Sequence, residues 1–109
     1  MTTSPALISA PAGSVDAATE RAAHTAEVAK AAREAPLLWQ GVEQSRATVD
    51  RSLARFLAQK PDTVGWHAAA EETRNAIDAF DQRYYQAADR YRDAGLEPPA
   101  MPHIVLPAA

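Results

Sequence analysis

The stretch 66-WHAAAEETRNAIDAFDQRYYQAADRYRDA-94 decides the fold of this 109-residue chain. Its apolar and small residues recur at alternating spacings of four and three, which is the repeat of an α-helix and not of a β-strand. The positions on this seam are Trp66, Ala70, Thr73, Ile77, Phe80, Tyr84, Ala87, Tyr91 and Ala94. The predicted helix is therefore apolar along one side, and another helix must cover that side.

Signals at both ends of this stretch predict where the helix starts and stops. The sequence KPDTVG at 60–65 is turn-like, and either Asp62 or Thr63 can cap the helix that follows. Gly95 is placed as the C-cap, and Leu96 is placed to fold back on the last turn. The helix is thus expected to run from about residue 66 to residue 94.

Two more helices are predicted upstream. Residues 15–35 are rich in Ala, the strongest helix former, and Ser14 can cap them. Pro36 either ends this helix or opens the next, because a proline ring clashes with the preceding turn. A second helix covers about 38–59, and its larger apolar residues share one side: Val42, Val49, Leu53, Phe56 and Leu57.

These elements predict an all-α fold, in which residues 15–95 form a small antiparallel bundle of three helices, or a helical hairpin with one additional helix. Residues 1–14 are expected to form an irregular arm, because Pro and Gly interrupt them. Residues 96–109 are expected to form a proline-rich tail, in which HIVL at 103–106 docks as a short extended arm. Helix 15–35 offers few large apolar residues, so the core is modest, and such small domains are often completed by a partner.

Composition narrows the function classes. The net charge of −3 gives no support for nucleic-acid binding, and the absence of Cys excludes thiolate chemistry. No apolar run approaches the ~20 residues of a membrane span. The N-terminus carries no positive side chain and is broken by Pro5 and Pro11, so it is a poor cleavable signal.

Histidine and carboxylate pairs are the candidates for a metal site. His24 lies four residues after Glu20 and three before Glu27, and His67 lies four before Glu71. A metal needs at least three converging ligands, usually with one from a second helix, whereas these groups fit a solvated polar face. We therefore expect neither a metal nor another cofactor.

The sequence shows no recognisable set of catalytic residues. The chain lacks a glycine-rich phosphate loop and a nucleophile elbow, and Ser45 and Ser52 have no base placed by the sequence to activate them. We expect a protein that is not an enzyme.

The aromatic residues of the last helix fall into two groups. Those at heptad spacing are expected in the core or an interface, together with one aliphatic residue: Trp66, Ile77, Phe80, Tyr84 and Tyr91. Tyr85 lies just off this seam, and Asp89 follows one turn later on the same face. Folding does not require an aromatic residue there, so this pair is a candidate recognition surface.

A second motif, Trp39-Gln40-Gly41, lies between the first two predicted helices. On a plain structural interpretation, Trp39 covers the end of the bundle and Gly41 permits a tight turn. Together with Tyr85-Gln86-Ala87-Ala88-Asp89, and in a small, Cys-free, Ala-rich chain, the motif resembles the WXG-motif and Esp-like substrates of type VII (ESX) secretion systems of actinobacteria. The resemblance covers roughly residues 15–95.

The resemblance implies a helical hairpin with Trp39 and Gly41 at its bend, and an export signal that includes Tyr85 and Asp89. It also implies secretion without a signal peptide and association with a helical partner in a homo- or hetero-oligomer. The predicted function is a non-enzymatic helical interaction protein of this kind. The alternative is a small structural or accessory subunit of an enzyme complex or phage particle, held by its terminal arms and cytoplasmic in location.

Overall fold

The computed structural model describes residues 5–104 and the side chains of residues 16–104, and this part of the chain is an all-α hairpin. Helix α1 spans Pro5–Leu57 and helix α2 spans Val64–Asp93. The molecule is elongated, measuring 85 × 21 × 20 Å. Its long dimension is close to that of the 53-residue α1, at ~1.5 Å per helical residue.

The predicted break at Pro36 is wrong, and with it the three-helix bundle, because α1 continues through this residue to Leu57. Pro36 itself is exposed, while Ala31 and Ala35 before it and Val42 after it are fully buried. A proline inside a helix costs one hydrogen bond and introduces a clash. Burial of apolar residues on both sides of Pro36 offsets this cost, since one continuous helix lines them up along α2.

The N-terminal stretch also differs from the prediction. Helix α1 begins at Pro5, so residues 5–14, predicted as an irregular arm, are helical. Proline is favoured at the first helical position, where its missing N–H has no partner to lose. Residues 1–4 and 105–109 lie outside the described residues.

The bend of the hairpin is the KPDTVG connector. Asp62 adopts a positive φ of 64°, a conformation that Asp tolerates better than most residues. The Thr63 hydroxyl accepts a hydrogen bond from the backbone N–H of Trp66 at 3.1 Å, so Thr63 is the N-cap of α2. The two candidate capping residues thus have separate roles, one shaping the turn and the other starting the helix.

Helix α2 ends in a Schellman motif. Gly95 has φ 73°, and its N–H donates to the carbonyl of Arg92 at 2.9 Å. The N–H of Leu96 donates to the carbonyl of Tyr91, also at 2.9 Å. This pair of bonds satisfies two carbonyls at the helix end and turns the chain back towards the hairpin, with Gly95 in the left-handed conformation that glycine tolerates.

The core lies where the seam of α2 meets α1. Its buried members are Val42, Val49, Phe80 and Ala87. Partly buried residues packed against them are Trp39, Ala76, Ile77, Tyr84 and Ile104. Near the bend, the rings of Phe56 and Trp66 lie 5.2 Å apart, and Arg55 pairs with Glu72. These contacts set an antiparallel register in which the C-terminal part of α1 runs alongside the whole of α2.

Replacing Pro36 by Ala should stabilise the hairpin by about 1–3 kcal/mol, because Ala restores the helical hydrogen bond and removes the ring clash. Urea denaturation followed by circular dichroism measures this change. Pro61→Ala in the connector is the matched control, and we expect no gain there. A loss of stability in Pro36→Ala would show that the chain needs a break at this point.

Candidate interaction surface

The first half of α1 extends past the end of α2. We call residues 16–27 the projecting segment, and within it every side chain except the half-buried Ala17 is exposed. Burial begins with Val28, which is half-buried, and Ala31, which is fully buried. The projecting segment is therefore helix whose described side chains mostly face solvent.

Arg90 joins the end of α2 to α1 at the border of the projecting segment. Its guanidinium hydrogen-bonds to Glu27 and Glu34 of α1, with N–O distances of 2.8 Å each, and to Asp93 at 3.2 Å. The Arg90 side chain is only 18% exposed. The bonds to Glu27 and Glu34 raise the pKa of Arg90 above its ordinary value.

Trp39 and Gly41 lie inside α1, so their predicted position at a bend is wrong. The Trp39 ring meets the Tyr84 ring edge to face, with centroids 5.9 Å apart and an interplanar angle of 70°. A Cβ at Gly41 would lie 3.3 Å from a guanidinium nitrogen of Arg83. Trp39 thus contributes to the packing of α1 against α2, and Gly41 gives room for an arginine of α2.

Tyr85 and Asp89 lie on the outer face of α2, one helical turn apart. Tyr85 is 57% exposed, and its ring contacts the edge-on ring of Tyr84 at 5.4 Å. The Asp89 carboxylate pairs with Arg92 at 3.0 Å, and its side chain is 74% exposed. Both members of the predicted export signal are thus accessible near the C-terminal end of α2.

The other predicted seam residues lie on the inner face of α2. Phe80 is fully buried, and Ile77 and Tyr84 pack against its cluster. Trp66 contacts Phe56 near the bend, and Tyr91 is half-buried. In this structure α1 covers much of the seam of α2. Less of the seam is therefore available to a partner than the sequence suggests.

The histidines lie apart from any group of converging ligands. In the described part of the chain, no set of three His, Cys, Asp or Glu residues is arranged to hold a metal ion. His67 lies 3.9 Å from Asp62 at the bend, and both side chains are exposed. A shallow concavity includes Glu20 and His24, but its lining residues all belong to α1, and a catalytic site requires convergent groups.

The described part of the C-terminal tail lies against the hairpin. The Tyr84 hydroxyl donates a hydrogen bond to the carbonyl of Pro99 at 2.9 Å. Ile104, from the HIVL stretch, packs against the core cluster. The tail therefore docks as the sequence predicts as far as Ile104, but its hydrogen-bond partner Tyr84 was not foreseen, because no local pattern links residues fifteen positions apart.

Comparison with known proteins gives no relative. No protein-family model, curated protein or solved structure matches this chain. Neither described helix has an apolar stretch long enough to cross a membrane.

Replacing Arg90 by Met keeps an aliphatic chain but removes the bonds to Glu27 and Glu34, so the last turns of α2 should separate from α1 more often. Hydrogen–deuterium exchange should then be several-fold faster over residues 87–94. Arg92→Met is the control, because Arg92 makes an exposed ion pair within α2, and it should change the unfolding free energy by less than about 0.5 kcal/mol. Unchanged exchange in Arg90→Met would contradict the joining role.

Proposed function

We propose that this protein is a non-enzymatic helical interaction protein whose projecting segment binds a helical partner. The observation that carries the proposal is the exposure of residues 16–27, a stretch of α1 that meets α2 at Glu27, the partner of Arg90, and continues away from it. Most helical stability in proteins comes from packing of one face against another element. A partner helix beside the projecting segment would provide that packing.

The projecting segment offers such a partner two different faces. Glu20, His24 and Glu27 continue, at spacings of four and three, the row that contains buried Ala31. On the opposite side, Ala18 and Ala22 lie in one row with Ala29, and all three are exposed. Alanine side chains let a second helix approach closely but bury little apolar area, so polar contacts must add to the affinity.

In its sharper form, the proposal is a secreted or secretion-associated protein of the type VII kind, with Tyr85 and Asp89 in the export signal. Support comes from their exposure and their spacing of one turn on the outer face of α2. The Trp39-Gln40-Gly41 motif gives less support, because it lies inside α1 and the bend is at the KPDTVG connector.

The alternative, a subunit held in a larger assembly by its terminal arms, requires arms that reach another chain. The described part of the C-terminal arm instead bonds to Tyr84 and packs on its own hairpin. This observation favours binding through the projecting segment over anchoring through that arm.

Charged substitutions in the projecting segment should abolish partner binding and leave the hairpin folded. When the protein is purified gently from its source cells, the unaltered chain should carry a helical protein in fixed stoichiometry. Ala18→Arg combined with Ala22→Arg should lose that protein and retain cooperative melting. Ala47→Arg, also on an exposed position of α1 but alongside α2, is the control and should retain it. Equal retention by both variants would refute the proposed surface.

The type VII form is tested by Tyr85→Ala. Export into the culture medium should fall to background, with helicity and melting temperature little changed, because Tyr85 is 57% exposed. Gln82→Ala, an exposed position on the same helix, should be exported normally. Normal export of Tyr85→Ala, measured by immunoblot of medium and cells, would remove this form and leave the projecting-segment proposal standing.

A further inference from the structure

A row of residues on α1 runs beside the α1–α2 interface and is left mostly uncovered by α2. Its members recur at spacings of four and three, so they share one side of the helix. Glu34 of the row bonds to Arg90, and Gly41 lies against Arg83, so the row borders α2. These two residues are half-buried, and the other members are exposed. We call it the lateral row, and its members are Ala23, Glu27, Lys30, Glu34, Leu37, Gly41, Gln44 and Thr48.

Exposed leucine side chains lie in and beside the lateral row. Leu37 belongs to the row and is 63% exposed, and the adjacent Leu38 is 39% exposed. Both lie in the interior of α1, between the fully buried Ala35 and Val42. Their apolar surface is therefore continuous with the packed interface of the hairpin, and a further helix on this side would enlarge that interface and remove the leucines from water.

The charges at the centre of the lateral row are complementary to themselves. Lys30 makes no ion pair among residues 16–104. Glu34 accepts both of its bonds from Arg90 at Oε1, and Oε2 carries neither of them. Lys30 and Glu34 lie two residues on either side of Ala32. If two copies of α1 run antiparallel about a two-fold axis at the level of Ala32, Lys30 of each copy faces Glu34 of the other.

The length of α1 places the axis at almost the same level. Ala31 is the middle residue of α1, which spans Pro5–Leu57. Two antiparallel copies that cross at this level overlap along the whole helix, which is about 80 Å long. The projecting segment of each copy then lies beside the hairpin of the other. Both halves of the resulting rod contain three helices, namely α1 of both copies and α2 of one.

We propose that the lateral row is a homodimer interface, in which α1 packs antiparallel on α1 of a second copy about a two-fold axis near Ala31 and Ala32. In this register Ala23 lies opposite Gly41 of the second copy, so two small residues let the helices approach closely. Leu37 lies opposite Glu27, whose aliphatic stem covers apolar surface while its carboxylate stays with Arg90.

This proposal goes beyond the proposed function, because it uses a different face of α1. The alanine row with Ala18 and Ala22 lies roughly 100° around the helix from the lateral row, so it stays exposed in the dimer. Ala18→Arg combined with Ala22→Arg should therefore still dimerise. A chain that is monomeric but loses its helical partner in that variant would refute the dimer and leave the proposed function standing.

Sedimentation equilibrium of the purified full-length chain tests the dimer. The chain has a mass of 11.7 kDa, and twice this mass is expected at micromolar concentration. Leu37→Glu should raise the dimer Kd by about tenfold or more, because both copies place the new charge in the interface. Val64→Glu, which changes the 88% exposed valine at the bend, is the control and should dimerise normally. A monomer throughout the micromolar range, or equal Kd values for both variants, would overturn the proposal.

Exchanged charges test the register. Lys30→Glu places Glu opposite Glu34 of the other copy at both ends of the axis, and it keeps the bonds of Arg90. Glu34→Lys places Lys opposite Lys30. Each variant alone should dimerise several-fold more weakly, whereas an equimolar mixture should form a heterodimer in which both contacts are between Glu and Lys. Native mass spectrometry measures these populations, and a mixture without excess heterodimer would refute this register.

Distances between spin labels test the antiparallel direction without a charge change. The chain contains no Cys, so Ala29→Cys and Ala47→Cys each give a single nitroxide site at an exposed position. About the proposed axis, the two labels on Ala47 are separated along the rod by about 45 Å, and those on Ala29 by about 10 Å. Double electron–electron resonance should therefore give a much longer distance for Ala47. Equal distances at the two sites would indicate parallel pairing and overturn the proposal.

Discussion

Phe80 packs with Val42 and Val49 of α1 and retains 1% of its exposed surface, and the register of the whole hairpin follows from this contact. Aromatic and branched side chains in a packed interior leave little freedom to slide, because voids and overlaps are both costly. Once this contact is made, Arg90 is brought level with Glu27 and Glu34, and Trp66 level with Phe56. The contact of Phe80 at the centre of the interface thus determines which residues meet at its two ends.

The same contact explains why α1 continues through a proline. Residues before and after Pro36 are buried along one continuous helix, so a break would move one of these groups away from α2. Because α2 has 30 residues and α1 has 53, the antiparallel pairing leaves part of α1 without α2 beside it. The projecting segment results from this difference in length. In the proposed function, its exposed faces bind the partner helix.

The described part of the C-terminal tail packs against the hairpin as a third structural element. A three-helix bundle would cover the outer edge of the interface with another helix, whereas here a proline-rich segment lies against Tyr84 and the core cluster. Hairpin and tail therefore form one unit in the described residues.

The sequence by itself determined the all-α class, the seam from Trp66 to Ala94, the Gly95 cap and the exposure of Tyr85, because all of these depend on spacing and local chemistry, and it limited the N-cap of α2 to Asp62 or Thr63. It also marked the HIVL stretch as a docking arm. Only the tertiary structure decided that α1 continues through Pro36, that the Thr63 hydroxyl caps α2, and that Trp39 meets Tyr84. Those outcomes depend on contacts between residues far apart in the chain. At Pro36 the packing energy of such contacts exceeds the local cost of a proline in a helix, and a local sequence pattern contains no information on the size of that packing energy.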